Sequence, residues 1–129
     1  MNRFPTRPAR PLAHVLAGAA AALVAGAALA HHGWSGYGEQ DFSLTGTVES
    51  ATIGNPHGLI RLRAAGGTWD VVLGPPANER RAGLTEQMLP AGTTVTASGR
   101  RHLDPNRLEM KTERLRVGER TFDLYPDRL

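Results

Sequence analysis

The sequence has no cysteine, a single lysine and few aromatic residues, 5% of its 129 positions. Without cysteine there is no disulfide, no thiolate metal site, no thiol nucleophile and no lipidated-cysteine anchor. Lys111 alone among many arginines reads as the mark of a GC-rich genome rather than of function. An excess of one charge is missing too once the first ten residues are set aside. Arg3, Arg7 and Arg10 account for the formal +3, and from His31 onward 12 Arg and Lys stand against 12 Asp and Glu. A domain-wide basic patch is excluded by that balance. The length allows one small domain and excludes two large ones.

What is present begins with a leader. Met1 to Arg10 is basic and broken by proline, Pro11 to Leu29 is mostly Ala, Leu, Val and Gly, and Ala28-Leu29-Ala30 sets small residues at the two positions a signal peptidase reads. Charged start, apolar middle and A-x-A site predict a cleaved signal peptide over 1–30 and a periplasmic or secreted protein. The rival, a retained membrane helix, has only an Ala- and Gly-rich stretch interrupted by His14 with which to span about 30 Å of hydrocarbon. No membrane anchor is expected after cleavage, and without an Arg-Arg pair nothing indicates twin-arginine export.

Beyond the leader the pattern is that of strands. Residues 31–41 read as an N-terminal arm, because "GWSGYGEQ" has three glycines and no apolar period. In 42–129, Phe42, Leu44, Gly46 and Val48 alternate with polar residues, "GNPHG" at 54–58 is a turn, and Leu59 to Arg63 forms a second strand before Gly66-Gly67. Trp69, Val71 and Leu73 form the inward face of a third. Residues 77–89 are the one predicted helix, with Asn78 as its cap, Leu84, Met88 and Leu89 on one face, and Pro90 as its stop. Strands follow at Thr93 to Arg100, Arg107 to Thr112, Arg114 to Val117 and Thr121 to Tyr125. Three strands, a short helix and further strands predict a mainly β domain, a small OB-type barrel of five to six strands with the helix between strands 3 and 4. Gly46 suits a strand that coils sharply. A mixed sandwich with one covering helix is the alternative.

The histidines are the candidate chemistry. Cleavage after Ala30 makes His31 the first residue, and its amine and ring nitrogen chelate one metal ion, with a third nitrogen completing the tetragonal site that Cu(II) prefers. His57, on the turn stiffened by Pro56, or His32 supplies that nitrogen. In an extended arm His31 and His32 point to opposite sides. If Ala30 is retained, His32 is the third residue, and amine, two amides and imidazole enclose Cu(II) or Ni(II) in a plane. The bland alternative makes His31 and His32 a soluble flank and His57 a turn residue. His102, beside Arg100 and Arg101, reads as a solvated loop residue.

Enzyme motifs are lacking. "GWSGY" has Tyr37 where a nucleophile elbow needs glycine, "GYGEQ" is no phosphate loop, and Glu39, Asp41, Asp70, Glu86 and Glu109 are spread as surface charges. No catalytic residue is assigned and no enzyme activity is expected. Nucleic acid is not expected as a partner either, because single-strand readers need a cationic groove with aromatic platforms, whereas Phe42, Trp69 and Phe122 are core candidates.

His31-His32, "LTGTV", "NPHG", "TWDVVLG" and "LPAGTTVTASG", in this order, resemble domain-of-unknown-function family 6152, small exported bacterial proteins, from His31 to about Leu124. The sequence departs from that family in "GWSGYGEQD" after the histidines and in Gly58, where an aromatic residue is common. The resemblance implies export and a small β domain and assigns no activity. The expectation is therefore an exported barrel that binds a metal ion, copper, through His31 with His57 or His32, for sequestration, delivery or support of an envelope system. The alternative is a metal-free structural or protein-binding module whose exposed strand edge or arm recruits an envelope partner.

Overall fold

The computed structural model describes residues 33–129. The predicted signal peptide, His31 and His32 lie outside the described residues. The chain divides into two compact units, Met1–Ser35 and Gly36–Leu129, and the second holds every strand among the described residues. Its elements are β1 (Tyr37–Thr52), β2 (Leu59–Ala64), β3 (Gly67–Val72), α1 (Pro76–Ala82), β4 (Thr94–His102), β5 (Glu109–Val117) and β6 (Arg120–Asp123), with 3-10 turns at Glu86–Met88 and Pro126–Arg128. No helix among the described residues is long and apolar enough to cross a membrane.

The strands form one six-stranded sheet in the order β3-β2-β1-β4-β5-β6, and a further pairing of β3 with β5 closes five of them into a ring. That closing pair is parallel and short, Asp70↔Glu109 to Val72↔Lys111, whereas the other ladders are antiparallel. The alternation seen in the sequence fills the inside. Leu44 and Val48 of β1, Ile60 and Leu62 of β2, Trp69 and Val71 of β3, Val95 and Ala97 of β4, and Met110 and Leu115 of β5 are all buried. Phe122 and Leu124 join this core, to which each fully buried aliphatic side chain contributes about 1.5–3 kcal/mol.

β1 is long because it serves two neighbours in turn. Its first part pairs with β4 from Tyr37↔His102 to Thr47↔Thr94, and its second part pairs with β2 from Thr47↔Arg63 to Thr52↔Leu59. The change of partner is possible because Gly46 has no side chain: a Cβ there would lie 2.3 Å from the Arg63 carbonyl oxygen and 2.9 Å from Ala64 Cβ.

Several elements differ from the sequence reading. The first strand starts at Tyr37 rather than Phe42, so the supposed arm ends in sheet, because pairing with β4 extends to His102. The helix is the seven-residue α1 followed by a separate 3-10 turn, divided by Gly83 in the left-handed conformation at φ 77°. Its N-cap is Pro75 with Pro76 in the first turn, and Asn78 instead donates its side-chain N–H to the Leu124 carbonyl oxygen at 2.9 Å. The two strands expected over 107–117 are one, β5, whose Lys111, Thr112 and Glu113 are consecutive and all buried.

Candidate functional site

His57 sits on the exposed turn between β1 and β2. The turn is anchored by the next residue. Gly58 N–H donates to Glu79 Oε1 at 2.8 Å and its carbonyl accepts from Leu73 N–H at 2.8 Å. A Cβ on residue 58 would lie 2.1 Å from Glu79 Oε1, so the carboxylate from α1 explains glycine at this point. Glu79 is fully buried, its Oε2 has no hydrogen-bond partner, and burial pushes its carboxyl above the usual carboxylate range.

The His57 ring is held below its ordinary pKa, first by burial of part of the ring and then by the positive charge of Lys111. Lys111 is itself 3% exposed, with Nζ 6.0 Å from the Tyr37 ring centre and 5.7 Å from that of Tyr125. Burial, and then the Arg128 charge, lowers the Lys111 ammonium pKa in turn. The His57 ring is therefore neutral at neutral pH, with one nitrogen free to bind a cation, yet the charge acting on it repels one. Among the described residues no three His, Asp or Glu side chains gather where they would hold a metal ion. His102 is not a loop residue: it ends β4 half-buried, its ring edge-on to Tyr37 at 5.5 Å, with Nδ1 accepting from Asp104 N–H at 3.0 Å.

A second feature lies where β1 begins. Between Tyr37↔His102 and Asp41↔Arg100, three residues of β1 stand opposite the single residue Arg101 of β4. This bulge loosens the ladder. Beside it opens a cleft of about 660 Å³ between Gly38–Phe42 and the β4–β5 loop, with Leu103 and Pro105 on its far wall. Phe42 and Arg101 line it, backed by the buried Trp69: Phe42 stacks on Trp69 at 5.4 Å, and the Arg101 guanidinium lies 5.1 Å from the Trp69 ring and 5.9 Å from that of Phe42. Arg101 Nη2 donates to the Pro105 carbonyl at 3.3 Å, while its buried Nε has no hydrogen-bond partner. Among the described residues, Gly38 to Thr45 have β4 on one side and no strand on the other.

Of the three histidines expected to ligate metal, only His57 falls within the described residues, and Lys111, Glu79 and Arg101 were not anticipated around either feature. The one sequence signal for the cleft is the glycine-spaced "GYGEQ", where a strand that must bulge carries small residues.

The sequence matches the family described as "Family of unknown function (DUF6152)" over residues 19–111. No curated protein matches it. A solved structure, the crystal structure of a complex of TiaS with an isoleucine tRNA and ATP, is similar at 17% identity with a TM-score of 0.46, over 60% of this chain and 18% of that one.

Proposed function

The chain belongs to the DUF6152 family of unknown function, and from that premise we propose that it is a small exported binding module of OB type, released from the signal peptide at 1–30. Support for the OB-type reading is the ring β1-β2-β3-β5-β4 with a parallel β3–β5 pair and α1 between β3 and β4. The observation that carries the binding role is the edge of β1 from Gly38 to Thr45, which no strand among the described residues pairs, set beside a cleft lined by Phe42. An open edge is a template for another strand unless it is covered or bent away.

A photo-crosslinking residue at Ser43 of the exported protein, compared with one at Glu119 in the β5–β6 turn, tests this in the host envelope. A discrete adduct formed from position 43 and absent from position 119 is the expected result. Absence of any adduct from position 43 overturns the reading.

Copper binding by the histidines is a second proposal, and it rests on the His31-His32 pair at the predicted mature N-terminus. Repulsion from Lys111 argues for the form that uses the amine, the backbone amides and His32, which draws on no residue of the folded domain. Intact mass under native conditions, after stoichiometric Cu(II), is then expected to show one copper retained in His57→Ala and lost in His32→Ala. A mature protein that stays metal-free sinks this reading and leaves the edge reading untouched.

A further inference from the structure

Resting on the β1 edge as the docking surface, we infer that its partner is a cationic strand, an extended segment of another protein with an Arg or Lys placed against Glu39. In an antiparallel ladder every second residue of an edge strand turns its N–H and C=O away from its neighbour, and along this edge the regular ladder runs from Asp41 onward, with Glu39 in the bulge before it. Main-chain pairing of that kind supplies affinity, and the side chains along the edge decide which strand fits.

The charge along this edge is negative. Glu39 is exposed and its carboxylate makes no ion pair among the described residues. Asp41 reaches Arg100 at 2.8 Å, yet its side chain is 96% exposed. Four arginines stand nearby, and each is engaged: Arg114 and Arg128, which share a groove with Asp41 and Ser43, hold Asp123 at 2.6 Å and Glu113 at 3.0 Å. Arg100, 14% exposed, also holds Glu113 at 3.1 Å and donates to the Glu39 carbonyl. Arg101 lies against Trp69 and Phe42 and donates to Pro105. What the rim offers an incoming strand is therefore the Glu39 carboxylate, with the exposed Asp41 already paired to Arg100, above an apolar footing of Phe42, Leu103 and Pro105, with Leu103 66% exposed. A basic residue flanked by an aliphatic one matches that pattern. A second copy of this chain paired about Gln40 would set Glu39 of one copy against Asp41 of the other, a like-charge contact.

The test uses two blocked hexapeptides of alternating valine and threonine, one carrying an arginine and the other a glutamate at the same position, titrated into the exported protein under NMR observation. The arginine peptide is expected to move the amide signals of residues 38–45 and to bind about fivefold tighter at low ionic strength, with the gap closing at high salt. Glu39→Lys, at an exposed site, is expected to reverse the order of the two peptides. Equal binding of both peptides at 38–45 overturns the cationic partner while the edge reading survives. No movement at 38–45 with either peptide overturns both. Signals at 38–45 that shift with protein concentration alone identify a second copy as the occupant and overturn the inference.

Discussion

Glu79 shows how one residue sets the chemistry of a turn. Its Oε1 fastens Gly58 while Oε2 is buried without a partner, and the folded state therefore holds the carboxyl proton to higher pH than the unfolded chain does. Folding stability from this group is greatest below the unfolded carboxyl range and falls as pH rises through the folded value. Glu79→Gln keeps the acceptor for Gly58 and removes the titration. In urea unfolding, the native protein is expected to lose stability relative to Glu79→Gln as pH climbs from the carboxylate range, and parallel pH profiles would refute this. Asp123 acts in the opposite sense, its carboxyl lowered by the hydrogen bond from Arg114. That contribution is present above the ordinary carboxyl range and fades as pH falls. The burial of Glu79 was not legible in the sequence, because Gly58, which meets its carboxylate, stands 21 residues away in the chain.

Among the elements, β5 is where alternation failed as a guide. Lys111-Thr112-Glu113 interrupts the apolar period and reads as a break between two strands, yet the strand runs through because β5 is paired with β4, β3 and β6 along its length. Glu113 tolerates 4% exposure because Arg100 at 3.1 Å and Arg128 at 3.0 Å both hold Oε1. Removing it leaves Arg100 without its buried partner. Glu113→Ala is expected to lower stability by about 3 kcal/mol, measured by chemical unfolding, with Arg128→Ala costing less because that arginine is more exposed. By contrast β2 and β3 were legible, Leu59 to Arg63 and Trp69 to Leu73, since a Gly-Gly turn joins them and their residues alternate cleanly. The helix was legible in position and not in extent, because Pro76 marks its start and Gly83 its end, whereas the apolar face from Leu84 to Leu89 belongs to the loop beyond.

For the whole molecule, order, class and a closed sheet were readable from the run of strands and the single helix, but the pair of strands that closes it was not. The ring is completed by three residue pairs between β3 and β5, which lie far apart in the chain, and no local pattern encodes that parallel contact. The cleft was hidden for a related reason: it depends on the bulge opposite Arg101, and "GWSGYGEQ" looks like a loop until β4 is brought alongside it. The strand that makes this cleft has a mechanical consequence. Because β1 is held by β4 along its first part and by β2 along its second, a pull along its axis loads two ladders in shear at once instead of opening one like a zipper. A partner hooked onto the β1 edge and tugged lengthwise therefore draws on the strongest direction of the domain, so the bound strand is expected to slip before the fold gives way.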